Sequence, residues 1–272
     1  MSDYLKKDDY EEPRCLLNMN QGGERINLRR VISTLDAYLG KNDYDAGERH
    51  LKYWIMEADN AGDMHGKLSV LNEQIGLYRK VGKKVECLEA IKGALELADL
   101  LDMQGTITYG TTLVNAATGY KSFGMVAEAM PLYRRAQEVY ESVLEPDDEK
   151  VGTLYNNMAL ALTDLEQYAE ARSYYEKALQ IMKKKEFGEL EEAITYLNLA
   201  DLAVAEHGHE KAEEMIGEYL DKAEELLDTP SVPRNGYYAF VCDKCAPVFG
   251  YYGYFLTEKK FKERAQKIYE GN

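Results

Sequence analysis

The chain has 272 residues, 45% of them hydrophobic, with 33 Lys and Arg against 48 Asp and Glu and a formal net charge of -15. That is ample material for a core, yet no stretch approaches the roughly 20 consecutive apolar residues of a membrane span. The acidic excess repels phosphate backbones and anionic lipid, which argues against nucleic-acid and membrane partners unless a large basic patch exists, and none is visible.

The opening stretch, MSDYLKKDDYEEPRCLLNMNQGG, is charged and lacks the apolar run of an export signal, so a cytoplasmic location is expected. Residues 1–24 read as an arm, loose or partly docked. After it comes VISTLDAYLGKNDYDAGERHLKYWIMEA, with Tyr38, Tyr44, Gly47, Leu51 and Trp54 at places that recur later in the chain. The next unit places Leu71, Gln74, Ile75 and Tyr78 at i, i+3, i+4 and i+7, one face of a helix, followed by Cys87, Ile91 and Ala94 on a second helix. Leu113, Ala116, Ala117 and Tyr120, then Ala129, Tyr133 and Ala136, repeat this 42 residues on; Tyr155, Met158, Ala159 and Leu162, then Ala171, Tyr175 and Ala178, repeat it 42 further. A fourth copy, Tyr196, Leu199, Ala200 and Ala203 with Ala212 and Ile216, follows 41 residues later. Short breaks such as KSFGM and DLEQY separate the two patterns, so the repeating unit is a helical hairpin.

Ala159 and Ala171 fall where the two helices of a hairpin cross, where short side chains allow close approach, and Tyr175 fills the wedge against the next hairpin. Pro131 is expected early in its helix, Pro146 and Asp147 to separate two hairpins, and Lys183, Lys184 and Lys185 to precede a stop at Gly188. DTPSVPRNG is the clearest linker. Beyond it, YYGYFLTEKKFKERAQKIYE keeps only the outline of a hairpin, as a terminal cap does. The expected organisation is an arm over 1–24, a repeat array over 25–228, and an aromatic-rich capping hairpin over 229–272 that continues the solenoid.

The run NNMALALTDLEQYAEARSYYEKALQI resembles a tetratricopeptide repeat, with Ala159, Tyr168, Ala171, Tyr175 and Ala178 at that family's signature places. VNAATGYKSFGMVAEAMPLYRRAQEVY is similar, with Ala117, Tyr120, Ala129, Tyr133 and Ala136. The spacing near 42 and the phrase EAMPLYRRA resemble the longer repeats of kinesin light chains. The resemblance centres on residues 105–185. The fold class is thus all-α, an α/α superhelix of about six helical hairpins.

Asparagine is a poor helix-interior residue because its amide competes for backbone hydrogen bonds. Asn115, Asn157 and Asn198 nevertheless share one register, with Asn72 and Asn156 one position away. In a stack of hairpins whose first helices line the concave side, these carboxamides present donors and acceptors to an extended peptide or a partner's helix. The resemblance implies the same, since groove asparagines of similar proteins hold bound peptides. Asn72, Asn115, Asn156, Asn157 and Asn198 are expected to hold the ligand main chain, and Thr118, Lys121, Leu160 and Asp201 to select its side chains. The alternative is that each asparagine bonds the neighbouring repeat. Arg79, Lys80 and Lys121 form either a positive rim or ordinary partners of helix C-termini. A full cationic set like the carboxylate clamp of chaperone-binding tetratricopeptide domains is missing.

Cys242 and Cys245 have redox or zinc spacing, but zinc needs four ligands, and spacing of three on a helix places both on one core face. His207, His209 and Glu210 crowd a solvent-facing turn without a distant further ligand. No nucleophile elbow, zincin motif or phosphate-cradling loop occurs. The aromatic segment YYAFVCDKCAPVFGYYGYF reads mainly as core, with Pro247 and Gly250 bending or interrupting a helix. The function read from the sequence is a non-catalytic protein–protein interaction scaffold without catalytic residues, cofactor or metal. The alternatives are a homo-oligomer that self-associates through the aromatic C-terminal hairpin, and an enzyme or metal-thiol site at Cys242 and Cys245 or at His207 and His209.

Overall fold

The computed structural model describes residues 25–271; the expected arm over 1–24, with Cys15, lies outside the described residues. Among the described residues all regular structure is helical: α1 (Leu28–Leu39), α2 (Tyr44–Ala61), α3 (Met64–Val81), α4 (Lys84–Leu100), α5 (Ile107–Ser122), α6 (Val126–Val143), α7 (Glu149–Asp164), α8 (Tyr168–Met182), α9 (Glu189–His207), α10 (His209–Asp228), α11 (Gly236–Tyr251) and α12 (Phe255–Tyr269).

Local chemistry sets where these helices begin. Asn27, Asp43, Asp63, Thr106, Asp148 and Asn235 each accept a backbone N–H of the first turn with their own side chain. Each such cap stabilises its helix by about 1 kcal/mol. The start expected around Pro146 and Asp147 thus falls at Asp148. The turn inside every hairpin holds one residue with positive φ: Asn42, Gly82, Gly124, Glu166, Gly208 and Gly253.

Two expectations about proline need correction. Pro131 lies in the second turn of α6, past the amides that a helix start leaves free, so Ala127 lacks its intrahelical donor and must turn its carbonyl to water. Of the bend or interruption expected at Pro247 and Gly250, the interruption does not occur: α11 runs through both. The reason is the same in kind: Pro247 and Asp243, whose carbonyl loses its donor, are both on the exposed side.

The chain divides into two compact units, residues 25–144 and 145–271. In the N-terminal unit the first helices α1, α3 and α5 pack side by side, each against its own second helix, while α2 and α4 pack on the first helix that follows. Val31, Leu35, Leu51, Val70 and Leu77 form the core at one end, and Ile75, Cys87, Ile91, Leu113, Ala117, Ala129 and Tyr133 are fully buried further on. Gly110 lets Tyr140 lie against α5, since a Cβ there would sit 2.3 Å from the Tyr140 Cε1.

In the C-terminal unit α7, α9 and α11 form the corresponding row, and α8, α10 and α12 are their hairpin partners. Ala159 and Ala171 are fully buried on the facing helices α7 and α8, as close crossing requires. Tyr238, Phe249 and Phe261 fill the last hairpin. Within each unit the asparagines form a polar strip where neighbouring first helices meet, α3 with α5 and α7 with α9.

Candidate functional site

In the N-terminal unit the strip joins α3 to α5. Asn72 Nδ2 donates to the Leu68 carbonyl one turn back (3.1 Å) and to Thr112 Oγ1 on α5 (3.0 Å). Its Oδ1 accepts from Asn115 Nδ2 at 2.9 Å. Both N–H groups of Asn72 are thus used within the protein, whereas Asn115 spends one donor and is half-buried.

The C-terminal unit repeats the device between α7 and α9. Asn198 Nδ2 donates to Asn156 Oδ1 at 3.2 Å, and Asn156 is only 8% exposed. The pairs link residues 43 and 42 apart, so an asparagine one place off the common register meets one on it. That offset, visible in the sequence as the odd positions of Asn72 and Asn156, is the signal for the pairing. Asn157 is different: half-buried, it makes no side-chain hydrogen bond to another described residue, and its amide reaches solvent.

The remaining sequence-expected residues divide. Thr118 Oγ1 is 3.0 Å from Tyr133 OH on α6, so it serves the hairpin interior. Asp201 Oδ1 accepts from Tyr252 OH at 2.6 Å, and burial raises its carboxyl above the ordinary range although that hydrogen bond opposes the shift. Leu160 and Lys121 are half-buried on α7 and at the end of α5. Arg79 and Lys80 are exposed in the last turn of α3, with Lys80 Nζ 5.5 Å from the centre of the Tyr44 ring.

Sequence reasoning missed a second kind of strut. Tyr237 OH donates to Glu191, and Tyr252 OH to Asp201, tying α11 to α9 at two levels by phenol–carboxylate pairs. Burial raises the Glu191 carboxyl, partly countered by Lys244. Only the carboxylates placed within α9 at Glu191 and Asp201 hinted at them.

The other candidate chemistries resolve into packing. Cys242 and Cys245 are buried on one face of α11, and desolvation raises both thiols; that of Cys87 is pushed up to about 11. Such thiols stay protonated and weakly nucleophilic at neutral pH. His207 and His209 are exposed, and His209 packs against the Tyr252 ring. Among the described residues no group of three or more His, Cys, Asp or Glu is placed to hold a metal, and no helix is long and apolar enough to cross a membrane.

Residues 108–184 and 150–225 match the model of the tetratricopeptide repeat family. The structure of nearly identical TPR-like repeats of a kinesin light chain candidate from Podosopora anserina superposes with a TM-score of 0.51 at 16% identity, covering 74% of this chain and 94% of that one. A single-substitution variant of the same protein gives the same values. BtubC (BKLC) from P. vanneervenii gives 0.49 at 18% identity, over 91% of this chain and 92% of that one. No curated protein matches the sequence. The likeness to the repeats from P. anserina is one of fold, an all-α solenoid architecture, and proteins built from such repeats are typically non-catalytic scaffolds for protein–protein interaction. Residues 108–225 thus carry the tetratricopeptide repeat, and the all-α fold of the chain is similar to that of the TPR-like repeats from P. anserina.

Proposed function

We propose that the first-helix strips bind an extended peptide or a partner's helix, with asparagine carboxamides holding its main chain. The observation that carries this reading is Asn157, which has a donor and an acceptor open to solvent beside the Asn156–Asn198 pair. A solvent-facing asparagine in a helix interior gains nothing for stability, while a peptide main chain matches both of its groups. Asn115 and Asn198 add the groups their pairing leaves unused. Asn72 and Asn156 then act by orienting these partners. Lys121, Leu160 and Asp201 remain the candidates for side-chain selection; Thr118 contributes through Tyr133.

The test is selection of peptides from a random display library against the full chain, then fluorescence anisotropy of the selected peptides with wild type and Asn157→Ala. A loss of about tenfold in affinity at unchanged melting temperature supports the reading. Selected peptides indifferent to Asn157→Ala and Asn115→Ala overturn it.

A second reading, self-association through the last hairpin, is favoured by one observation: Tyr251, Phe255 and Leu256 are 71, 68 and 85% exposed around the α11–α12 turn. Light scattering of wild type against Leu256→Asp tests it, and a monomeric wild type ends it.

A further inference from the structure

The strongly acidic chain holds a cationic cleft in its C-terminal unit. Arg234 from the linker, Tyr238 from the first turn of α11, and Arg264, Lys267 and Ile268 from the end of α12 line a space of about 330 Å³. Arg234 is fixed in place: Nη1 donates to the Leu227 carbonyl at 2.8 Å, Nη2 to the Thr229 carbonyl at 3.3 Å, and the guanidinium lies 4.1 Å from the centre of the Tyr238 ring. None of these partners carries a charge. Arg264 does have a counter-ion, since its Nη1 donates to Asp228 Oδ1 at 2.5 Å and to Tyr238 OH at 2.9 Å. Lys267, in the last turn of α12, forms no ion pair with a described residue. Two of the three cations therefore face the cleft without a carboxylate.

We propose that this cleft binds the dianion of an organic phosphate monoester. Two uncompensated positive charges match a dianion better than a single carboxylate. A guanidinium held by carbonyls and an aromatic face is pre-organised for phosphate oxygens, and the mobile ammonium of Lys267 closes on the remaining one. Half-buried Ile268 supplies an apolar surface for the esterified group, which inorganic phosphate cannot use, while fully buried Tyr238 only backs Arg234. The net charge of -15 does not prevent this, because charges beyond about 8 Å are largely screened at physiological salt. A small phosphorylated molecule and a phosphorylated side chain of a protein present the same group. The site is separate from the asparagine strips and does not depend on their function.

The experiment is isothermal titration of the full chain with phenyl phosphate, inorganic phosphate, benzoate and a short neutral peptide containing phosphotyrosine. Saturable binding of phenyl phosphate, at least about tenfold tighter than benzoate, supports the proposal. Peptide binding tighter than phenyl phosphate assigns the site to phosphorylated proteins, and equal binding assigns it to small molecules. Lys267→Gln should weaken phenyl phosphate about tenfold with an unchanged melting temperature. Lys259→Gln, two turns nearer the start of α12 and outside the lining of the cleft, should change nothing. Absence of saturable binding, benzoate binding as tightly as phenyl phosphate, or equal effects of the two lysine substitutions overturns the assignment.

Discussion

Tyr133 OH on α6 donates to Thr118 Oγ1 on α5 across 3.0 Å, and Thr118 in turn donates to the Val114 carbonyl. One repeat later Leu160 stands at the register of Thr118, and the hydroxyl of the equivalent Tyr175 is buried without a hydrogen-bond partner. Thr163 lies beside that phenol and acts on it as a distant hydrogen-bond partner would, yet it does not reach full hydrogen-bonding geometry, and its own hydroxyl donates to the Ala159 carbonyl. The same substitution should therefore have opposite signs in the two repeats. Tyr133→Phe removes a satisfied hydroxyl and should destabilise by about 1 kcal/mol, whereas Tyr175→Phe removes an orphaned one and should stabilise by about 1–2 kcal/mol. Urea unfolding of the two variants checks this, and equal signs would refute it.

The asparagine pairs make a graded prediction. Asn156→Ala leaves the donor of Asn198 without its partner, and Asn198→Ala leaves the acceptor of the nearly buried Asn156 open. Each should cost about 1 kcal/mol, and a double-mutant cycle should return a coupling of about 0.5–1.5 kcal/mol. Asn72→Ala, which removes bonds to Leu68, Thr112 and Asn115, should be the most damaging. Asn157→Ala should be neutral or slightly stabilising, since alanine is the better helix former. Chemical denaturation gives the order, and a large loss at Asn157 would contradict the placement of its amide in solvent.

The hairpins were legible because their determinants are local and repeated: small residues at the crossings, a tyrosine in the wedge, and breaks at constant spacing. The asparagine row was legible as a register but not as a set of bonds, because the meeting of Asn72 with Asn115 depends on a one-residue stagger between α3 and α5 that tertiary packing sets. The pairs Tyr237–Glu191 and Tyr252–Asp201 join residues 46 and 51 apart, outside the 41–42 period, on a helix where the repeat pattern has faded. The engagement of Thr118 with Tyr133 is not legible in the sequence, because a threonine on the face of α5 away from the buried set reads as groove-facing until the rotation of α6 is known.

Two sets of carboxyl groups give stability a dependence on pH with a maximum. Hydrogen bonds from Lys52 and Lys83 hold Glu48 below its ordinary value. For Asp228 burial acts upward, but Lys260 and Arg264 outweigh it and the net shift is downward. These two contribute stability that is present above their unfolded pKa, about 4, and lost as pH falls through the lower folded values. Burial raises Asp36, Glu191, Glu192 and Asp201. The folded chain takes up these protons before the unfolded one, so their effect is to increase stability as pH falls from neutrality. The melting temperature should rise from pH 7 to about 5 and fall below about 4. Glu192→Gln, at a position only 7% exposed, removes one of these titrations, so it should raise the melting temperature at pH 7 and flatten the rise. A monotonic decline from pH 7 would contradict the assignment.

The turn of the α7–α8 hairpin carries a strain that the four hairpin turns with glycine at this place avoid. Gly124 N–H donates to the Lys121 carbonyl and Met125 N–H to that of Tyr120; 42 residues later Glu166 donates to Thr163 and Gln167 to Leu162. The backbone is the same, with φ of 75° at Gly124 and 60° at Glu166, but only glycine takes that conformation without a clash at Cβ. The left-handed conformation costs a residue with a side chain about 1–2 kcal/mol, and the freedom glycine adds to the unfolded chain offsets about 0.5–1 kcal/mol of any gain. Glu166→Gly should therefore stabilise by about 0.5–1 kcal/mol, and Gly124→Ala should destabilise by a similar amount. Thermal unfolding of both variants measures the pair. Loss of stability on Glu166→Gly would mean that the glutamate side chain does more for the turn than its backbone strain takes away.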